Sequence, residues 1–207
     1  NARGRQNLIY FNDGSANFEK TQAFGNQVDS TIDVAVGDIN NDGHHDLVLA
    51  NRDAQQNLIL LNDGNTQFNE RIPFGSGKDE TRAIAVADLN GDGKLDWVAG
   101  NIGKLNTVYL GDGKGGISGT HNFGQAGGRT YALAVADMNN DGHLEIIVAN
   151  TGQQNAVFFN QGDGKSYQEV RFGEASEITY NLAVGDLNQN GFADIAVANS
   201  GSQNSVY

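Results

Sequence analysis

The sequence contains no cysteine, a single proline and no apolar run approaching the ~20 residues of a membrane-spanning helix. The absence of cysteine excludes disulfides and thiolate metal sites, but it leaves the cellular compartment undecided. Positive charge is scarce, since 13 Lys and Arg stand against 25 Asp and Glu, for a formal net charge of −12. This balance argues against nucleic acid or an anionic membrane as a partner, and we expect no membrane insertion.

One acidic, glycine-containing segment occurs four times, at intervals of 49 or 50 residues. Each copy carries oxygen-bearing side chains at positions 1, 3, 5 and 9 and glycine at position 6, and position 7 can add its main-chain carbonyl. Hard oxygen ligands in this number suit Ca²⁺, which takes roughly 6–8 oxygens at about 2.3–2.6 Å. We therefore predict about four calcium ions, one per loop. The predicted ligands are Asp38, Asn40, Asp42, His44 and Asp46; Asp88, Asn90, Asp92, Lys94 and Asp96; Asp137, Asn139, Asp141, His143 and Glu145; and Asp186, Asn188, Asn190, Phe192 and Asp194, with His44, Lys94, His143 and Phe192 acting through their carbonyls.

A metal-free turn rich in Asp and Asn is the alternative for any single copy. Four copies in register favour a metal, because carboxylates confined to one small loop repel each other and a bound cation removes that cost. An EF-hand is excluded, since its bidentate Glu at position 12 is here an apolar residue such as Leu49. We expect the fourth site to be the weakest because Asn190 replaces an Asp, and the longer Glu145 to shift the ion or bind it through both oxygens.

The residues around each loop predict strands and no helix. We expect four strands per repeat, A (about 32–37), B (46–50), C (57–61) and D (67–73), joined by short connections into an antiparallel meander. A single meander cannot bury both of its faces, so the copies must stack, and radial stacking gives an all-β β-propeller. The prediction is one propeller segment over residues 1–207, with repeats at about 1–25 (strands C and D only), 26–75, 76–124, 125–173 and 174–207 (strands A, B and C only).

The pair Phe24-Gly25, the calcium loop thirteen residues later and the run from Asp46 to Asn51 together resemble the FG-GAP or VCBS-type repeats of integrin-α-like β-propellers. The Gly-Ala-Pro element of that family is replaced by Ala-Asn or Gly-Asn. The resemblance implies metal loops in the A–B hairpins on one face of a disc, with calcium as a structural clamp. It also implies an extracellular, usually seven-bladed module used for adhesion or ligand recognition.

The number of repeats, about 4.2, raises the question of ring closure. A closed four-bladed ring would leave residues 7–10 and 204–207 competing for one strand C position. We therefore expect an arc of a larger ring of seven blades. Further sequence or another chain would complete it, since an open arc exposes unpaired strand edges.

We expect a secreted or cell-surface recognition and adhesion module that binds a protein or carbohydrate through the face opposite the calcium loops. The alternatives are a lectin with repeated sugar pockets and a part of a polysaccharide-active enzyme, a lyase or hydrolase. No Ser/His/Asp order or nucleophile elbow occurs, and calcium accounts for most of the carboxylates. We therefore predict no catalytic residues, no organic cofactor and no enzyme activity.

Three residue patterns predict structural roles. A threonine precedes each calcium loop by seven residues, as Thr31 does, and we expect it to form hydrogen bonds at a strand start. Paired asparagines bracket each B–C loop, as Asn150 and Asn155 do, and we predict that they cap it through side-chain to backbone bonds. Trp97, the only tryptophan, is expected to pack between blades.

Overall fold

Residues 6–207 are described by a computed structural model, and within them the secondary structure consists of strands and turns without a helix. In that range no helix is long and apolar enough to cross a bilayer. The seventeen strands are β1 (Asn7–Tyr10), β2 (Thr21–Phe24), β3 (Thr31–Gly37), β4 (Asp46–Asn51), β5 (Asn57–Leu61), β6 (Glu70–Phe74), β7 (Glu80–Ala87), β8 (Asp96–Ile102), β9 (Asn106–Gly111), β10 (Ile117–Phe123), β11 (Thr130–Ala136), β12 (Glu145–Asn150), β13 (Asn155–Asn160), β14 (Tyr167–Phe172), β15 (Thr179–Gly185), β16 (Asp194–Asn199) and β17 (Ser205–Val206).

The strands form five separate antiparallel sheets, numbered here as blades 1 to 5. Blade 1 is β1–β2, blades 2, 3 and 4 are the four-stranded meanders β3–β6, β7–β10 and β11–β14, and blade 5 is β15–β17. The first strands of successive four-stranded blades contact one another, which places them innermost. The predicted all-β architecture of four-stranded antiparallel blades is confirmed. Blades 1 and 5 do not pair with each other, and the seven-bladed ring stays a prediction.

The predicted strand bounds agree with the structure except at strand D. In blade 2 that strand begins at Glu70, three residues later than expected. The Asp63 carboxylate accepts the backbone N–H groups of Asn65 and Gln67 at 2.8 and 3.1 Å. These bonds extend the turn, because a side chain that satisfies local N–H groups replaces a sheet partner.

A hydrophobic core lies between each pair of neighbouring blades. The core between blades 2 and 3 contains Ile59 and Phe74 from one side and Trp97 and Tyr109 from the other. The Trp97 ring is stacked on Tyr109 and meets Phe74 edge-on, with centroids 5.9 Å apart in both cases. The prediction that Trp97 packs between blades is confirmed. Because both faces of the inner blades are covered, the second strand of a blade is buried along nearly its whole length, as in β4.

Threonine and asparagine side chains link successive blades through buried hydrogen bonds. Asn57 of blade 2 donates Nδ2 to Thr81 Oγ1 of blade 3 at 2.8 Å, and Thr81 Oγ1 donates to Asn101 Oδ1 at 2.9 Å. The Asn101 backbone N–H then donates to Asn106 Oδ1, which begins the next link. The pattern recurs at Asn7, Thr31 and Asn51; at Asn106, Thr130 and Asn150; and at Asn155, Thr179 and Asn199.

The second asparagine of each pair therefore has two roles. Its oxygen caps the B–C loop, as Asn155 Oδ1 does by accepting the Asn150 N–H at 2.8 Å. Its amide group crosses to the threonine of the following blade, Thr179, at 3.1 Å. The predicted capping and the strand-start threonine are confirmed, and the crossing between blades is an addition that the local pattern did not predict.

Candidate metal loops and the opposite face

The four predicted metal loops share one hydrogen-bonding pattern, in which the position 1 carboxylate organises the turn. Asp38 Oδ1 and Oδ2 accept the backbone N–H groups of Asp42 and Gly43 at 3.0 and 2.9 Å. Asp42 Oδ1 in turn accepts the His44 N–H at 2.8 Å. The corresponding position 1 acceptors in the other three loops are Asp88, Asp137 and Asp186.

The carboxylate at position 9 is buried and ties each loop to its own blade. Asp46 is 0% exposed, and its two oxygens accept the N–H groups of Ile39 and Asn62, both at 2.8 Å. Burial raises the pKa of Asp46, and the nearby charges of Asp42 and Asp38 raise it further. The three carboxylates of the loop are therefore close enough to repel one another, and a cation among them would remove that cost.

The second loop repeats this arrangement. Asp96, also 0% exposed, accepts from the N–H groups of Leu89 and Gly111 at 2.9 Å each. Burial raises its pKa, and the charges of Asp92 and Asp88 act in the same direction. Its position 7 residue, Lys94, forms an ion pair with Asp92 at 3.0 Å. The ammonium group thus partly neutralises this loop in the absence of a metal.

The third loop contains an unsatisfied buried oxygen. Glu145 is fully buried, and its Oε2 accepts the Met138 N–H at 2.7 Å. Its Oε1 forms no hydrogen bond of good geometry within residues 6–207, although the Asn160 N–H lies near enough to lower the pKa of this carboxyl group slightly against the effect of burial. Burial raises the pKa of this carboxyl group. A buried carboxylate oxygen without a donor is costly, and a cation would satisfy it.

The fourth loop is the least enclosed. Asp194 accepts the Leu187 N–H at 2.8 Å and the Asn188 amide at 3.2 Å. Leu187 is 62% exposed, whereas its counterpart Ile39 in the first loop is completely buried. With Asn190 in place of a carboxylate, this loop supplies only two negative charges, and its weakest binding of calcium stays a prediction.

The donor set fits calcium in chemistry and in number. Each loop carries side-chain oxygens at positions 1, 3, 5 and 9, and position 7 can add its main-chain carbonyl, all hard ligands. Side chains of His, Asp and Glu alone do not form a three-membered metal group anywhere in residues 6–207, so Asn and main-chain oxygens must complete each set. Binding would also require Asp42 Oδ2 to release the Asn40 amide, which it holds at 2.8 Å.

The side chains of His44 and His143 lie outside the metal loops, as expected for residues that offer a carbonyl. Both are exposed, and each ring lies against the C–D turn of its own blade. A Cβ added at Gly64 would come within 2.6 Å of the His44 ring, and one at Gly162 within 2.7 Å of the His143 ring. Both glycines also have positive φ, 83° and 84°. These turns therefore favour glycine for two reasons, the lack of space for a Cβ and the backbone conformation.

The opposite face is formed by the B–C and D–A connections, because antiparallel meanders place alternate connections at opposite ends. There the residue after the strand-start threonine lies at a β-bulge, which redirects its side chain, as after Thr81, Thr130 and Thr179. Arg82 lies over the Tyr131 ring at 5.3 Å, and Tyr131 meets Tyr180 edge-on at 5.2 Å. These three residues form a row across blades 3 to 5, called the rim row below.

Other residues on this face are structural. Asp29 and Ser30 are each only 7% exposed, and Asp29 Oδ2 accepts the Asn26 N–H at 2.6 Å. Asp79 is 8% exposed and binds both the N–H and the hydroxyl of Ser76. These buried carboxylates hold the D–A connections in place, whereas the rim row and the clefts between blades are accessible.

The sequence matches the model of a family described as FG-GAP-like repeat, over residues 38–99, 97–148 and 137–197. These matches span most of the chain, and the protein belongs to the FG-GAP-like repeat family, as its repeats predicted. FG-GAP propeller repeats are typically non-catalytic. No curated protein matches the chain.

Several solved structures share this fold, among them those of three different proteins. BBS1N, in the crystal structure of its complex with ARL6DN soaked with lead, has a TM-score of 0.59 and 15% identity, over 82% of this chain and 51% of that one. The V. cholerae biofilm matrix protein Bap1 has a TM-score of 0.52 and 19% identity, over 83% and 30%. A protein of unknown function from Bacteroides caccae has a TM-score of 0.54 and 11% identity, over 98% and 71%. This chain thus spans about half or less of the length of the first two. Fold and family together fit a module for protein interaction or adhesion.

Proposed function

We propose that this chain is a calcium-stabilised recognition module of a secreted or cell-surface protein, which binds a protein or glycan partner through the face opposite its metal loops. The observation that carries the proposal is the difference between the two ends of the blades. At one end, four loops carry oxygen-bearing side chains at the same four positions, and in each loop the position 1 carboxylate accepts the same backbone hydrogen bonds. At the other, equivalent positions differ in size, charge and aromaticity, as expected of a surface shaped for one partner.

Calcium would be held in each of blades 2 to 5 by the oxygens at positions 1, 3, 5, 7 and 9, for example those from Asp38 to Asp46. A bound divalent ion supplies positive charge that offsets the mutual repulsion of these carboxylates. The chain itself fixes two of them before binding, since Asp38 is held by backbone N–H groups and Asp46 is locked into the blade. Exposed, carboxylate-rich loops of this kind suit the millimolar calcium found outside cells.

The rim row supports partner binding at the opposite face. Arg and Tyr are enriched among the residues that dominate protein interfaces, and Tyr180 is 51% exposed. Bap1 is a biofilm matrix protein and BBS1N was crystallised with a protein partner, so related folds serve in matrices and in complexes.

The proposal is tested by applying the labelled chain, in calcium, to a printed array of extracellular matrix proteins and neutral and acidic glycans. We expect at least one positive spot that is weakened at least about tenfold, a change of 1.4 kcal/mol in binding, by Tyr180→Ala in the rim row or by Asn122→Arg, near the end of edge strand β10 on the same face. Lys114→Ala, an exposed change in a C–D turn at the metal-loop end, is the control and should leave the signal unchanged. Binding that only the Lys114 variant weakens would place the partner on the wrong face and contradict the proposal.

A further inference from the structure

A cleft of about 670 Å³ lies between blades 2 and 3, at the end opposite the metal loops. Its walls come from the D–A connection after β6, the B–C connection after β8, and strands β9 and β10. Phe74 and Tyr109 form its base, and Thr120 and Asn122 of the exposed edge strand form its outer side. This is the volume of a ligand site, within the usual range of about 300–1,000 Å³.

The equivalent cleft between blades 3 and 4 is closed, with a volume of only about 30 Å³. Arg171, the counterpart of Asn122, fills it. The Arg171 guanidinium bonds to Glu169 at 2.7 Å and, with the Gln125 amide turned so that its oxygen faces it, to Gln125 at 2.5 and 3.1 Å. The Gln154 amide adds a bond to the Gly173 carbonyl at 2.9 Å.

An arginine also crosses the boundary between blades 1 and 2. Arg71, the counterpart of Thr120, donates to Asn26 Oδ1 at 2.5 Å and to the Gly25 carbonyl at 3.3 Å. Two different strand positions thus supply a guanidinium to the same kind of boundary. Between blades 2 and 3 both positions carry short side chains, and Leu105 stands where the other blades have glutamine. The open cleft results from these three substitutions.

The walls of the open cleft carry no net charge. Lys104 Nζ lies 2.6 Å from Asp79 Oδ1 and 3.2 Å from Ser76 Oγ, so the one cation is paired with the one anion. Asn122 Oδ1 accepts from Thr107 Oγ1 at 3.0 Å, while Asn122 Nδ2 and Thr120 Oγ1 have no hydrogen-bond partner within residues 6–207. The cleft therefore offers unused donors and acceptors beside apolar surface from Ile117, which is 39% exposed.

This chemistry selects among occupants. An arginine or lysine side chain of a partner would meet the Lys104 ammonium, and an acidic group would meet the Asp79 carboxylate. A neutral polyhydroxylated ligand avoids both conflicts and can bond to donors and acceptors alike. The base rings are 2% and 7% exposed, so its apolar contact would be to aliphatic groups such as Ile117 and not to a stacked ring.

We propose that the cleft between blades 2 and 3 is a single binding site for a neutral saccharide. The inference rests on the proposed recognition function and names the ligand class for one part of that face. The lectin alternative predicted from the sequence has repeated sugar pockets, whereas this proposal has a single pocket. Arginine side chains occupy the equivalent boundaries between the blades on either side.

The experiment records two-dimensional NMR spectra of the intact, calcium-loaded chain during titration with neutral disaccharides, with lactose, maltose, cellobiose and chitobiose as the probes. Heparin disaccharide and an acetylated Gly-Arg-Gly peptide serve as the acidic and basic probes. An open cleft and a small ligand suggest a Kd of order 1 mM. We expect saturable shifts at Ile117, Thr120 and Asn122 with at least one neutral disaccharide.

Asn122→Arg should abolish these shifts, because it restores the side chain that closes the next cleft. His121→Arg adds the same charge on the same strand, but strand alternation places it on the other face of the sheet, so it is the matched control. We expect Asn122→Arg to weaken binding at least tenfold and His121→Arg less than about twofold, with both variants showing wild-type melting temperatures or higher.

Saccharide binding that survives Asn122→Arg would overturn the site assignment and leave the recognition function intact. Saturable binding of only the charged probes, or no binding of any neutral disaccharide, would overturn the ligand class. A failure of the recognition function would give a different result. In that case neither Tyr180→Ala nor Asn122→Arg would weaken any signal on the array of matrix proteins and glycans.

Discussion

Asn106 of blade 3 donates its side-chain amide to Thr130 Oγ1 of blade 4 at 2.9 Å, across the boundary between two sheets that share no strand pairing. The Thr130 hydroxyl in turn donates a hydrogen bond to Asn150 Oδ1, also at 2.9 Å. Because the Asn150 N–H is in turn bound by Asn155, the bonds form a continuous line from blade to blade. A polar network that is fully satisfied in a buried position fixes the relative placement of its members.

Thr130→Val tests this line with a nearly isosteric change. The substitution leaves the Asn106 amide and the Asn150 oxygen without their partner at a site where Thr130 is 1% exposed. We expect the free energy of unfolding to fall by about 1–3 kcal/mol. Urea denaturation measures it.

Thr151→Val is the matched control, since the Thr151 hydroxyl is buried without a hydrogen-bond partner in the described residues. It should change the unfolding free energy by no more than about 0.5 kcal/mol or raise it. Equal losses for the two variants would show that the interblade bond adds nothing to stability.

Glu145→Gln should have opposite effects with and without calcium. In metal-free protein the variant removes a buried charge whose pKa is raised by burial, so the melting temperature should rise. With calcium about tenfold above its dissociation constant, the variant should lose most of the roughly 1.4 kcal/mol that this site contributes. Differential scanning calorimetry with and without calcium measures the change in melting temperature that the substitution causes. A higher melting temperature of the variant in both buffers would argue against a metal at this loop.

The pH dependence of stability should also depend on calcium. Burial raises the folded-state pKa of Asp46, Asp96 and Glu145, so the folded protein binds protons that the unfolded chain does not as pH falls from 7 toward about 4. In metal-free buffer these three groups therefore favour folding increasingly over that range.

Some exposed carboxyl groups instead have a lowered pKa and act at lower pH. Hydrogen bonds hold the pKa of Asp42 and Asp163 below the usual value, so their stabilisation is lost only as pH falls below about 3.8. We expect urea midpoints in metal-free buffer to hold or rise between pH 7 and pH 5, while the increment from calcium shrinks because protons compete for the same oxygens. An unchanged calcium increment at pH 5 would contradict the assignment of these carboxylates as ligands.

Much of this fold follows from the sequence because its determinants are local and repeated. The apolar strands, the Asp-Gly turns and the interval of about 49 residues define the blades without knowledge of any contact. The crossing from Asn106 to Thr130 was missed because it joins residues 24 positions apart on different sheets. The same interval recurs from Asn7 to Thr31 and from Asn57 to Thr81, and it is the signal that could have revealed the link.

The open cleft between blades 2 and 3 could not be predicted by comparing the sequences of the repeats. Arg71 and Arg171 occupy different positions of their edge strands, so an alignment of the copies does not show that both reach the preceding blade. Only the packing of neighbouring blades shows that Thr120 and Asn122 leave a space there. The sequence likewise did not distinguish the buried Asp29 and Asp79 from accessible residues of the same connections.

The most direct test of the account is the melting temperature of the chain in about 2 mM calcium and in chelator, at pH 7 and matched ionic strength, with magnesium as the control. Trp97, which follows Asp96 and is completely buried, provides a fluorescence signal beside the second loop. Four sites, each with calcium tenfold above its dissociation constant, would add roughly 5.6 kcal/mol, and a chain of this size gains about 2–4 °C per kcal/mol. The account predicts a rise of roughly 10–20 °C with calcium and a much smaller one with magnesium, whereas equal melting temperatures with and without calcium would contradict it.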